Sequence, residues 1–391
     1  MSAPADDSAP DSEGAATMKP KLLILSFSPI ASDARVLKQI DLFARDYDVT
    51  TCGYGPAPAG VSEHVPVPDE FAIWRYSRRD VVLRRWQRAY WGNAAIASAR
   101  RDLAGRRFDV VLADDVDAVG LALALEPARG VHADLHEYSP RQHEEMLRFR
   151  LFVRPFIEWM CRRFVARAAS WTTVSGGLAR EYERVFGFRP EVVTNAAPYR
   201  ELEPSEVHEP RRLVHSGAAL RNRHLGTLID GVLASRSGAT LDLYLTPNDV
   251  AYLEELRAAA AASGGRVILH DPVPYAELAG TLARYDVGVH ILPPVNFNNR
   301  WALPNKIFDY VQARLGVVVG PSPEMADYVT RYGVGTVTDD FTAESLTRLV
   351  DGLDETSVAA YKRASQQHAR ELSSEAQVQI WKRAVDAIAG R

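Results

Sequence analysis

The stretch Trp301-Ala302-Leu303-Pro304-Asn305-Lys306-Ile307-Phe308-Asp309-Tyr310-Val311-Gln312-Ala313, followed at 316–321 by GVVVGP, decides how the rest of the chain is read. Pro304 suits the first position of a helix, because the backbone N–H it lacks would find no intrahelical acceptor there. The apolar run that follows is a strand buried on both faces, so helix and strand form one α/β unit. The free amides of the first turn and the positive end of the helix dipole make an anion site. Lys306 adds a full charge where a diphosphate would sit. Asp309 lies three residues on, on the same face, where a carboxylate can accept both vicinal hydroxyls of a ribose. A solvated surface pair would use the same two residues; the strand that follows favours the ligand site, because it sets the helix in an α/β unit facing a cleft.

Working outward, KLLILSFSP at 21–29 is another continuous apolar run, with a helical period behind it (Val36, Ile40, Phe43) and a second strand at DVTTCGYGP. Strands are also expected at 108–115, 131–137, 170–175 and 191–195, giving a doubly wound first domain. After the polar stretch 200–212 the pattern restarts with RLVHSG, TLDLYLT, RVILHDP, YDVGVHIL, GVVVGP and GTVTDD, a second α/β domain. The expected organisation is a tail at 1–17, a first Rossmann-like domain at 18–199, a second at 200–375 and a C-terminal helix at 376–391 packing back on the first. In that helix Val378, Trp381, Val385 and Ile388 share a face. Two such domains leave a cleft between the carboxyl ends of their strands, where open α/β sheets bind ligands.

Bulk properties narrow the classes. A chain of 391 residues, 47% hydrophobic, can bury two cores. A net charge of -4 argues against nucleic-acid binding, which needs an excess of Lys and Arg. The charge is uneven: residues 19–200 carry 27 basic and 22 acidic side chains, residues 201–391 carry 19 and 24. Cys52 and Cys161 have no CxxC spacing or histidine cluster around them, so neither a disulfide framework nor a zinc site is expected, and a reducing cytoplasm fits. No apolar run is long enough to span a bilayer, and no signal pattern opens the chain. Residues 1–17 are acidic and small, a composition expected to stay disordered, and Met18 directly before the first strand is the expected natural start.

The run LPNKIFDYVQARLGVVVGPSPEM, preceded by VPYAELAGTLARYDVGVHIL, resembles the donor-binding region of retaining, family-4-type glycosyltransferases, in the variant whose motif reads Pro-x-Lys-x-x-Glu-Tyr. Here it is Pro-Asn-Lys-x-x-Asp-Tyr. SFSPIASDARVLKQ, DLHEYSP, VSGGLAREYERVFG with VVTNAAPY, and LVHSGAALRNRHLGTLIDGV agree in order, so the resemblance extends over nearly the whole chain from Met18.

The resemblance implies the α/β GT-B fold, two doubly wound Rossmann-like domains facing each other across a cleft. It implies transfer of a sugar from a UDP- or GDP-linked donor to a glycan, lipid-linked or small-molecule acceptor, with retention of configuration and no metal or other cofactor. Residue by residue, Lys306 and Arg223 would hold the donor diphosphate, with Gly217 permitting its close approach and Asn305 beside it. Asp309 would bind the ribose and the backbone at Val273 the nucleobase, while Glu324 would be a further donor carboxylate. His136 would face the transferred sugar and the phosphates, acting with Lys306 and Arg223 in catalysis, and Arg35 would reach the phosphates from across the cleft. The family has two glutamates eight residues apart; this chain has Trp301 and Asp309, and its first loop lacks the family's Gly-Gly pair. The donor phosphate itself is expected to help deprotonate the acceptor, so no side-chain base is assigned.

Other signals are weaker. Asp46-Tyr47-Asp48 and Asp115-Val116-Asp117 match the metal-diphosphate string of the other large glycosyltransferase fold, but short carboxylate strings are common by chance. His136-Glu137 is not a zinc motif, since no second histidine follows at helical spacing. His270 and His290 read as ordinary strand-end residues. Residues 74–107 hold 10 arginines against two acids, interleaved with aromatics; Leu83, Trp86, Tyr90 and Ala94 would share one helical face. The stretch reads either as a solvated helix packed by its aromatics or, with the basic amphipathic stretch at 147–167, as a surface that meets an anionic membrane, with the protein peripheral at the membrane's inner face. Two rivals use the same cleft: a nucleotide-sugar epimerase, and a catalytically inactive nucleotide- or glycan-binding relative.

Overall fold

The structure is a computed structural model that describes residues 19–391, so the expected tail at 1–17 lies outside the described residues. Two parallel sheets organise the molecule. The first takes β1 (Lys21–Pro29), β2 (Asp48–Tyr54), β3 (Glu63–Pro66), β4 (Val110–Asp114), β5 (Gly130–Leu135), β6 (Ser170–Thr173) and β7 (Glu191–Val192), in the order β3-β2-β1-β4-β5-β6-β7. The second takes β8 (Arg212–Ala218), β9 (Thr240–Thr246), β10 (Val267–His270), β11 (Val287–His290), β12 (Gly316–Val319) and β13 (Gly335–Val337), in the order β10-β9-β8-β11-β12-β13. In each sheet the order reverses beside the first strand, at β1/β4 and at β8/β11. Ligands of open α/β sheets bind at such points.

The central strands are fully buried because helices cover both faces, which is why they read as unbroken apolar runs. Leu22 to Leu25 pair with Val49 to Cys52 on one side and with Val110 to Ala113 on the other. In the second sheet Gly288 is required for packing: a Cβ there would lie 2.2 Å from the Tyr310 ring.

The last helix, Ser374–Ala389, crosses back onto the first sheet. Trp381, Val385 and Ala389 share a core with Leu22, Ile24, Phe43 and Leu112. Its polar side is also tied down: Trp381 Nε1 donates to Thr172 Oγ1 (3.2 Å), Tyr47 donates to Asp386 (2.7 Å), and Lys382 bridges Asp46 (2.8 Å). The Asp46-Tyr47-Asp48 string thus belongs to the attachment of this helix.

Three local expectations are corrected. Residues 74–107 do not form one amphipathic helix but three: Arg78–Val82, Trp86–Trp91 and Ala94–Asp102. Ser77 and Asn93 cap the first and third, and Arg84 at φ 55° breaks the chain between the first two. The strand at 191–195 shrinks to the two residues of β7. Pro304 stands one position earlier than expected, as the extended cap residue of the helix Asn305–Gln312.

Candidate active site

The donor side is built where β8 and β11 end. Gly217, the penultimate residue of β8, has φ +146°, and a Cβ there would fall 2.4 Å from Lys306 Nζ. Glycine therefore lets the lysine lie against the strand end; the space foreseen for a phosphate beside Gly217 holds the ammonium in this conformation. Lys306 comes from the first turn of the helix Asn305–Gln312, whose cap residue Pro304 offers no side-chain acceptor; the Ile307 N–H turns back to the Pro304 carbonyl (3.3 Å), and the amides of Asn305 and Lys306 stay open. Arg223 closes the short 3-10 turn Arg221–Arg223 after β8. Neither Lys306 nor Arg223 has a carboxylate or a hydrogen-bond partner among the described residues. Burial, with the repulsion of Arg223, lowers Lys306 to about 8. Asp309 and Glu137 act on the two cations only from beyond ion-pair distance, which leaves the site incomplete.

Asp309 sits on the same helical face, 6% exposed. Burial raises its carboxyl to about 6 against the pull of Lys306, and Tyr275 donates to it at 3.3 Å. Val273 lies in the loop between β10 and the helix Tyr275–Leu282. Its backbone groups make no hydrogen bond among the described residues, which leaves them open to a ligand.

The opposite wall comes from the carboxyl ends of β4 and β5. His136 follows β5, 22% exposed, with Nε2 3.4 Å from both Asp114 and Asp134 and Nδ1 3.4 Å from Asp115. Burial alone would lower its pKa, but the three carboxylates override that and raise it well above the usual value, so the ring is an imidazolium. Asp115 also accepts the His136 backbone N–H (3.0 Å) from a left-handed conformation, φ 64°, which aspartate tolerates. Behind the histidine, Arg35 grips Asp134 with two nitrogens (2.7 and 2.6 Å) and gives its third to Val193 O and Asn195. Its guanidinium also lies 4.6 Å from the Trp381 ring centroid. Burial opposes ionisation of Asp134, and Arg35 overcomes it, holding that carboxyl well below its ordinary value; burial pushes Asp114 up. Asp114, Asp134 and His136 place ligand atoms within 4.8 Å of one another, but the positive charge in this cluster is already supplied by Arg35 and the imidazolium.

Two of the expected residues have partners inside the protein. Arg35, expected to reach the phosphates, is spent on Asp134 and the 193–195 backbone. Glu324, expected among the donor ligands, accepts the Gly176 N–H (3.1 Å) and Arg180 (3.1 Å) of the facing domain. A carboxylate at the amino end of the helix Gly176–Phe186 is favoured by its dipole. Trp301 joins the same contact: its carbonyl accepts from Ser175 (2.8 Å), Arg180 lies 5.2 Å over its ring, and the indole covers Gly177 so closely that a Cβ would fall 2.2 Å from it. The indole in place of a carboxylate is therefore a contact between domains.

His136 is shared by two cavities. One, of about 200 Å³, lies between the domains, with Lys38, Asn195 and Asn305 also in its wall. The other, of about 620 Å³, has Asp115, His136 and Glu137 at one end and Trp74, Phe149, Phe156 and Met160 at the other. It adjoins a groove of about 790 Å³ lined by Trp74, Arg78, Val82, Arg148 and Phe152. Asp117, discounted with its string, is half-buried beside Tyr76, which donates to it. The second string thus divides: Asp115 holds the backbone of His136, and Asp117 anchors the cavity wall.

Sequence reasoning passed over His215 of β8 and read His290 of β11 as an ordinary strand-end residue. Their rings are 5.5 Å apart, and both feel the Lys306 and Arg223 charges. The available signal was position: both lie on the strands that flank the reversal of order, His290 as the last residue of β11. His270, by contrast, bonds Asp242 and stacks on Tyr244 at 4.5 Å, a structural role.

No protein-family model matches the chain, and no curated protein matches it in sequence. Solved structures do match in fold. HepE of Anabaena, solved with UDP and glucose, superposes with a TM-score of 0.67 at 15% identity over 94% of this chain and 100% of that one. Sucrose-phosphate synthase of Thermosynechococcus elongatus gives 0.71 at 10% identity over 95% and 100%. WaaG, a glycosyltransferase of lipopolysaccharide biosynthesis, gives 0.59 at 14% over 95% and 100%. The chain has the GT-B fold, two Rossmann-like domains facing each other across a cleft.

Proposed function

We propose that this protein is a retaining glycosyltransferase that takes its sugar from a nucleoside-diphosphate donor, without a metal. The observation that carries the reading is the pairing of Lys306 and Arg223, both without partners, at an uncapped helix start beside the end of β8. Such a pocket is complementary to a diphosphate, and more so to one gaining charge as the glycosidic bond breaks. Asp309 and the open backbone at Val273 are positioned for ribose and base. Because HepE was solved with UDP and with UDP-glucose, a uridine donor is the first to try.

The sugar would lie toward His136, whose Nε2 faces Asp114 and Asp134 and whose Nδ1–H, beside the partly exposed Asp115, is the donor left for a sugar hydroxyl or a phosphate oxygen. The acceptor would enter from the other side of the same histidine. Its cavity is polar beside His136 and apolar farther out, which suits an acceptor with a hydroxylated head and an apolar body, such as a lipid-linked sugar. Around the outer groove Trp74 is 75% exposed, Leu147 60% and Leu151 55%, among Arg78, Arg148 and Arg150. This supports a peripheral contact with an anionic membrane, and no helix among the described residues is long and apolar enough to cross one.

Incubation with UDP- and GDP-sugars tests the reading. Release of free nucleotide that the Lys306→Ala variant loses supports it; an altered sugar still on its nucleotide marks an epimerase, and binding without turnover an inactive relative. Retention requires that the product keep the donor's anomeric configuration by NMR. Failure of anionic liposomes to sediment the protein at low salt removes the membrane contact.

A further inference from the structure

Among the buried histidines of the described residues, His290 alone has neither ring nitrogen hydrogen-bonded. It ends β11 beside the end of β8, is 2% exposed, and its ring centroid lies 5.5 Å from that of His215. His215 is partnered through Nδ1, which lies 2.8 Å from the Val289 carbonyl. A neutral imidazole carries one N–H and one lone pair, and leaving both unmatched in a dry site opposes folding. Such a group persists in a native structure where it serves something else. The charges of Lys306 and Arg223 act on it, and their side chains lack acceptors among the described residues as well.

We propose that His290 is a ligand of the donor diphosphate, its imidazole N–H completing, with Lys306, Arg223 and the first-turn amides, the hydrogen-bond shell of a phosphate oxygen. This rests on the donor reading above. In this conformation the ring nitrogens are closed off, and the contact forms as the Lys306 side chain moves over to the phosphate. Burial, together with the charges of Lys306 and Arg223 and the neighbouring His215, keeps the His290 ring neutral. It therefore adds a hydrogen bond without adding a third positive charge to repel the other two.

The test compares the full-length wild-type chain with His290→Leu and His290→Gln, titrated with UDP and GDP and with the phosphate-free nucleosides. The leucine variant is expected to bind the diphosphate roughly tenfold to a hundredfold more weakly, the worth of a hydrogen bond to a charged group. Its affinity for the nucleoside should be unchanged, and glutamine, which keeps an N–H, should retain part of the loss. The unfolding midpoint without nucleotide should stay level or rise, because an unmatched polar group has been removed. Unchanged diphosphate affinity in the leucine variant overturns the assignment. So does an equal loss of nucleoside and diphosphate with a lowered midpoint, the mark of a packing residue. If the wild type binds neither nucleotide, the donor reading itself fails, and this inference with it.

Discussion

The two walls of the cleft treat charge in opposite ways. At the ends of β4 and β5, Arg35, Asp134, Asp114 and His136 match cation to anion within the protein. At the ends of β8 and β11, the Lys306, Arg223 and His290 side chains have no acceptor among the described residues, and only His215 is partnered, by the Val289 carbonyl. The first cluster pairs its charges without a ligand, although Asp114 Oδ2 and His136 Nε2 make no hydrogen bond among the described residues, and it reads as a support that aims His136. The second is complete only when something anionic arrives. Removing a member should therefore cost stability on the first wall and ligand affinity or turnover on the second.

The sharpest break is Arg35→Ala, which strands the ionised, buried Asp134. A loss of about 3–5 kcal/mol in denaturant unfolding is expected. Next is Lys306→Ala, expected to cut turnover by about two orders of magnitude while leaving the denaturant midpoint level or higher. Equal destabilisation by both variants would erase the distinction between the walls. Gly177→Ala sets a methyl group into the Trp301 indole and should cost about 1–3 kcal/mol, or loosen the contact between domains, visible as faster proteolysis.

The smallest effect is on pH, and its sign differs between binding and folding. Lys306 titrates near 8 when folded, so diphosphate affinity should fall as pH rises through 8, by at most about tenfold per unit. With the unfolded lysine near its ordinary 10.5, the unfolded chain holds the extra proton between those values, so this residue's contribution to stability rises with pH over the same window. Lys306→Arg, which stays charged, should flatten both trends. Affinity that does not change between pH 7 and 9 in the wild type would place the lysine away from the phosphate.

Much of the architecture was legible because its signals are local. Strands buried on both faces, such as β1 and β12, announce themselves as apolar runs, and the last helix carries its stripe in its own spacing. The losses are also physical. β3 buries only Val65 fully, so EHVP shows no pattern. Arg84 adopts a left-handed backbone that nothing in its neighbours foretells, and the expected long helix breaks there. In the site, Lys306 and Asp309 were legible because one helical turn holds both. The hydrogen bonds of Arg35 and Glu324 were not legible because their partners lie 99 and 148 positions away in sequence, at Asp134 and Gly176. His290 was read as ordinary for a similar reason: its chemistry lies in what surrounds it, and a strand-end histidine is usually satisfied.

The central claim is that the Lys306–Arg223 pocket awaits a nucleoside diphosphate, and calorimetric titration with UDP and GDP near pH 7 tests it most directly. The account predicts one nucleotide bound per chain, with binding lost when Lys306 and Arg223 are both changed to alanine in a protein that still folds. Undiminished binding in that double variant would contradict it.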